Sequence, residues 1–224
     1  MTKPRTDPCT DAIVQAFEAG EHRAAIAKFC AAGGDLYALY HGYDALGRVL
    51  AAMPEGLWRS NEILMGAYTL HLAKHGRAGR AQAHLTDPAC TFARTYRFDI
   101  YELRLAIHLG DPITDAQLDK WIATERHLPL DEPLQEGLYY NAIMVFLVRH
   151  GRLPEARTMG QRAIAAYRSA RHTYLEHFIH LHLTDLAIME GRLRDARRHL
   201  GTGAKRLEQS GRTYGNEQEI IEIL

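Results

Sequence analysis

Cysteine is scarce: Cys9, Cys30 and Cys90 are the only three in 224 residues. So small, odd and scattered a set forms no Cys-x-x-Cys redox pair and no cysteine zinc site. It fits reduced thiols in a cytoplasmic protein. No apolar run is long enough to span a bilayer, and the polar start Met1-Thr2-Lys3-Pro4 lacks the apolar segment of a signal peptide. An excess of one charge is missing as well, because 27 Lys and Arg balance 27 Asp and Glu. A nucleic-acid-binding domain usually shows a basic surplus, so direct nucleic-acid binding is not expected. Asn-Gly and Asp-Gly turns are absent and no segment sustains polar/apolar alternation, which excludes a hairpin-rich β protein.

What the chain does have is a repeated pair of small residues. A glycine is followed five residues later by an alanine at Gly20/Ala25, Gly76/Ala81, Gly151/Ala156 and Gly191/Ala196, with a stretched copy at Gly110/Ala116. From Gly76 onward the glycines are spaced 34, 41 and 40 residues apart. Glycine ends a helix in the left-handed conformation at least steric cost. An alanine one turn into the next helix lets the two cross closely. A period in this range marks stacked helical hairpins.

The periodicity predicts helices over about 10–18, 22–32, 35–53, 61–75, 78–86, 91–109, 115–127, 134–150, 154–170, 173–190 and 193–210, with a last one from about Asn216. Thr10 or Asp11 is the expected first cap, after a flexible arm over 1–9. The fold class is all-α: about eleven helices in antiparallel hairpins, forming one right-handed α-solenoid domain over 10–224. The end Ile220-Ile221-Glu222-Ile223-Leu224 is apolar and uncapped. It reads either as a surface once covered by a further segment or as a capping helix.

The glycine-to-alanine offset, with Tyr140 eleven residues before Gly151, resembles the tetratricopeptide (TPR) pattern. Phe17-Glu18-Ala19-Gly20-Glu21-His22-Arg23-Ala24-Ala25 and, later, Tyr174-Leu175-Glu176-His177-Phe178-Ile179-His180 resemble the helical-repeat region of the large MalT-like, LuxR-type transcription regulators. The resemblance covers roughly 14–210. It implies a non-catalytic interaction or sensor module that binds a protein, a peptide or a small effector, and it is compatible with a homo-oligomer. The TPR pattern alone would equally suit a general adaptor or co-chaperone. The chain lacks the Gly-x4-Gly-Lys-[Ser/Thr] phosphate loop and a recognisable helix-turn-helix, so ATP hydrolysis and operator binding are not carried over.

In TPR proteins the ligand groove is lined from positions thirteen, ten, six, three and two residues before the turn glycine. Here those offsets select Lys74, Arg97, Arg104, Asn141, Arg149 and Asp185, with Ile100, Val145, Val148, Phe178 and Leu181 as an apolar floor. Four basic residues and one amide suit an acidic or carboxylate-ended ligand. The histidine pairs His71/His75 and His177/His180 share helix faces but lack an obvious third ligand, so no metal and no cofactor are expected. Asp131/Glu132 and Asp99/Glu102 read as solvated charge, and no serine sits in a nucleophile-elbow setting. Nothing in the sequence points to an enzyme.

Overall fold

A computed structural model describes residues 7–129 and 131–211. Among them the chain is entirely helical, with twelve α-helices, three short 3-10 turns and no strand. None of these helices is long and apolar enough to cross a membrane. The helix expected from Asn216 lies outside the described residues. The chain divides into two compact units, Met1–Asp111 and Pro112–Leu224.

In the first unit, α1 (Pro8–Glu18) starts earlier than the expected cap and absorbs residues 8 and 9 of the expected arm. Asp7 is the true cap: it accepts from the Cys9 amide at 3.2 Å and from Thr10 Oγ1 at 2.7 Å, and Pro8 sits where no amide is needed. α2 (His22–Ala31) follows. The helix expected over 35–53 is instead a 3-10 turn, a short α3 (Tyr37–His41) and α4 (Tyr43–Ala52). The break is at Gly42, whose φ of 92° and ψ of 160° only glycine adopts without strain. The ring of His41 pins this bend to Asp7 at 2.8 Å and to the Ala32 carbonyl at 3.2 Å. Tyr37, fully buried, stacks between Phe29 and His41 and pairs its hydroxyl with Thr10 at 2.6 Å. Burial pushes its pKa up to about 12.

α5 (Glu62–Lys74), α6 (Ala78–Leu85) and α7 (Tyr96–Leu109) complete this unit. α7 begins later than the expected residue 91, because Thr95 is its cap. The segment before it is held in a non-helical path. Thr91 donates its amide to the Arg59 carbonyl at 2.8 Å, and Glu62 accepts from the Thr95 amide and hydroxyl at 2.7 Å each.

The second unit opens with α8 (Asp115–Ala123), started by a reciprocal capping box between Thr114 and Gln117. Four long helices follow: α9 (Pro133–Arg149), α10 (Leu153–Ser169), α11 (Thr173–Met189) and α12 (Leu193–Ser210). The start of α9 meets the end of α10, where a Cβ on Gly137 would stand 2.3 Å from the Tyr167 ring. The early part of α11 meets the second half of α12, where His177 Nδ1 lies 3.0 Å from the Gly203 carbonyl.

The four glycine turns are chemically alike. At Gly20, Gly76, Gly151 and Gly191, φ lies between 70° and 76°. The residue after each glycine donates its amide five residues back, as Glu21 to Ala16 (2.9 Å), Arg77 to Leu72 (2.9 Å), Arg152 to Leu147 (2.9 Å) and Arg192 to Ala187 (2.8 Å). This is the Schellman termination. The paired alanines Ala25, Ala81, Ala156 and Ala196 are all buried. A further copy, absent from the sequence pattern, uses Arg171: φ is 53°, and His172 donates to Tyr167 at 2.8 Å. The stretched copy behaves differently. Gly110 makes only the simpler bond to Ala106 at 3.2 Å, and Ala116 is exposed, with Asp111, Pro112 and Ile113 lying between the glycine and the cap of α8.

Candidate functional site

α5 and α7 approach closely because Gly66 has no side chain. A Cβ there would stand 2.1 Å from Cζ of Tyr101. The close approach sets Thr69, Leu70 and Ala73 of α5 opposite Arg104, Leu105 and His108 of α7, around a small, solvent-open depression. Five of its lining residues fall on the expected groove offsets: Gly66, Leu70 and Ala73 before Gly76, and Arg104 and His108 before Gly110.

Lys74 follows Ala73 at the end of α5. Although its side chain is exposed, surrounding protein hinders solvation of the ammonium and lowers its pKa, and the charge of Arg104 adds to this. The same two causes act on His108: desolvation first, then the charges of Lys74 and Arg104, take its pKa down to about 4. At neutral pH the site therefore presents two cations and an uncharged imidazole. Among the described residues neither Lys74 nor Arg104 has a carboxylate partner. Thr69, only 3% exposed, lines the depression with an Oγ1 that has no hydrogen-bond partner.

Arg97 has another task. Its Nη1 lies 3.2 Å and 3.4 Å from the two carboxylate oxygens of Asp35, which is 4% exposed, and Tyr101 donates its hydroxyl to the same carboxylate at 2.9 Å. Its guanidinium is thus paired with a buried acid. Ile100 and Leu181, expected on the groove floor, are core residues.

The other selected positions belong to the second unit. Asn141 is half-buried with an unpartnered Oδ1. Arg149 is exposed and lies over the Phe146 ring, 5.2 Å from its centroid. Asp185 is exposed beside His182, whose pKa burial lowers and Asp185 raises. The structure thus brings Lys74 and Arg104 together with His108, and leaves Asn141, Arg149 and Asp185 on a separate unit.

The histidines form internal contacts. His71 and His75 have ring centroids 4.2 Å apart, and His75 Nδ1 bonds the His71 carbonyl at 2.8 Å. His180 and His199 meet Nδ1 to Nδ1 at 3.2 Å. Among the described residues no group of three or more His, Cys, Asp or Glu could hold a metal ion. Beside His180 lies Glu176, 2% exposed, which accepts from Arg168 at 2.8 Å and has Arg206 Nε at 3.2 Å. Sequence reasoning passes over this centre and over Thr69. His108 was within its reach, two residues before Gly110, but carries no fixed charge to attract notice. No protein-family model matches this chain, and neither a curated protein nor a solved structure matches it.

Proposed function

We propose that the chain is a non-catalytic interaction or sensor module of the cytoplasm, with the helices of each unit paired as antiparallel, TPR-like hairpins. In this reading it acts as the helical-repeat region of a MalT-like, LuxR-type regulator does, receiving a peptide, a protein or a small effector. The observation that supports it best is the pair of uncompensated cations, Lys74 and Arg104, beside an open depression whose lining falls on the groove offsets. Two unneutralised cations brought together repel one another and gain from an arriving anion. A bound ligand that prefers one arrangement of the helices shifts the population toward it, and an attached output segment reads that shift.

The test is fluorescence anisotropy against a library of labelled acidic peptides. Lys74→Glu with Arg104→Glu weakens the tightest binders by tenfold or more, equivalent to about 1.4 kcal/mol. Arg149→Glu, on the other unit, is measured separately. Affinity that ignores the Lys74/Arg104 reversal rules out this site as the binding surface.

A further inference from the structure

We infer that the outer face of α12 is a docking surface for this chain's own segment Thr213–Leu224, which lies outside the described residues, and that Ile223 seats on Leu200. The inference is independent of any ligand taken by the first unit.

The second unit repeats itself at an offset of 40 residues. Gly151-Arg152-Leu153 recurs as Gly191-Arg192-Leu193, Ala156-Arg157 as Ala196-Arg197, and Thr173-Tyr174 as Thr213-Tyr214. In the first copy α11 lies against α10. A Cβ on Gly160 would stand 2.9 Å from Leu183, and Arg168 donates to Glu176 at 2.8 Å. The same register on α12 is more open. Leu200 replaces Gly160 and Ala204 replaces Ile164; both are half-buried where their counterparts are buried. Covering a half-buried leucine with an aliphatic side chain removes apolar surface from water, which favours docking.

The chain also leaves α12 as it leaves α10. Arg171, with φ of 53°, donates its amide to the Arg168 carbonyl at 3.0 Å, and from this turn α11 returns along α10. Forty residues later Gly211 has φ of 60° and donates to the Glu208 carbonyl at 3.2 Å. The same left-handed termination directs the chain into the same return.

The lengths match. Gly160 lies eleven residues before Arg171 and Leu183 twelve after it; Leu200 lies eleven before Gly211 and Ile223 twelve after it. At the helical rise, each of these four stands about 16–18 Å from its turn. Nearer the turn, Glu208 replaces Arg168 and Asn216 replaces Glu176. The donor and the acceptor exchange sides, and an amide can still donate to the carboxylate. Spacing is what changes: a leucine in the place of Gly160 holds the returning segment farther from α12 than α11 stands from α10.

Disulfide exchange in glutathione buffer tests this on the full chain, with Cys9, Cys30 and Cys90 replaced by serine. Leu200→Cys with Ile223→Cys is compared with Leu200→Cys with Ile221→Cys, since residues two apart point to opposite sides of a helix. The first pair is expected to close within one chain at least tenfold more favourably than the second. Melting of the uncrosslinked chain gives a separate reading. Leu200→Asp lowers the midpoint by several degrees, and lowers it less than half as far when Ile223→Asp is already present, because contacting residues do not act additively. Leu193→Asp, eighteen residues before Gly211 and beyond the reach of the segment, behaves as a surface change and leaves the midpoint nearly unmoved. Equal closure of the two cysteine pairs overturns the inference, and so do additive effects of Leu200→Asp and Ile223→Asp. Disulfides that join two chains in dilute protein also overturn it, and assign the face to a second copy.

Discussion

Tyr101 donates its hydroxyl to Asp35, 66 positions earlier in the chain, across 2.9 Å, and Arg97 completes the carboxylate's surroundings at 3.2 Å. Burial and the nearby negative charge hold the Tyr101 phenol protonated well above its ordinary range. The trio ties the turn before α3 to α7, the helix that carries Arg104 and His108. Asp35→Ala leaves a buried phenol and a half-buried guanidinium without their acceptor. The expected loss is about 3 kcal/mol, the lower end for removing one partner of a buried pair, because Arg97 retains some access to water. Urea denaturation measures it, with Asp35→Asn, which keeps an acceptor oxygen, losing less. A loss below about 1 kcal/mol for the alanine variant would show that the trio contributes little.

Arg171 occupies a position that glycine fills in the four sister turns. Its φ of 53° is the only positive value on a non-glycine residue among those described. The left-handed conformation costs a side-chain-bearing residue about 1–2 kcal/mol. Arg171→Gly recovers this less the extra freedom of glycine in the unfolded chain, about 0.4–1 kcal/mol. The net expectation is a gain of about 0.5–1 kcal/mol, seen as a melting temperature a few degrees higher. Gly151→Ala should move the opposite way. An unchanged or lower melting temperature for Arg171→Gly would mean that its exposed side chain makes a compensating interaction.

How far the fold was readable follows from these turns. Glycine at a helix end is a local requirement, so Gly20, Gly76, Gly151 and Gly191 announce themselves in the sequence, and the four long helices α9–α12 follow within a residue or two. Gly42 was less legible, because an apolar stripe from Leu36 to Met53 runs straight across it. The α7 start was hidden because Phe92 suits a helical stripe, while the bonds that hold its segment come from Arg59 and Glu62 far upstream. Gly66 and Gly137 lie inside helices, where sequence shows only a weak helix former. Their purpose, admitting the rings of Tyr101 and Tyr167, exists only in three dimensions. The site shares this limit: Lys74, Arg97 and Arg104 all follow from offsets, but the pairing of Arg97 with buried Asp35, 62 residues away, does not.

The alanines of the turns supply a direct comparison. Ala156 is fully buried at the start of α10, whereas Ala116, the partner of the stretched turn, is exposed. Ala156→Leu forces a larger side chain into a filled space and costs about 1–3 kcal/mol. Ala116→Leu should fall within about 0.5 kcal/mol of the parent, as surface changes do. Chemical denaturation of both variants tests whether offset alone, or offset together with helix crossing, constrains the alanine. Equal losses would contradict the packing assigned to these two positions.

Acid sensitivity of the second unit is set around His180. Its pKa is brought down to about 4, chiefly by burial and next by the charge of His199, with Glu176 opposing and Arg168 adding to the depression. The Nδ1 atoms of His180 and His199 are 3.2 Å apart, so at neutral pH one donates and the other accepts. If His199 donates, the other nitrogen of His180 carries its proton toward Glu176, 3.6 Å away, which is the electrostatically better arrangement. In the unfolded chain His180 takes up a proton near pH 6.5, while the folded protein resists until about pH 4. Between these values the unfolded state binds more protons, so stability is full above about pH 6.5 and falls as pH drops toward 4. The slope approaches about 1.4 kcal/mol per pH unit for each such histidine. Urea midpoints taken across this window should decline, and His180→Gln should remove one histidine's share of the decline. An identical pH profile in that variant would place the acid sensitivity elsewhere in the second unit, with His199, whose pKa burial also lowers, as the first group to substitute next.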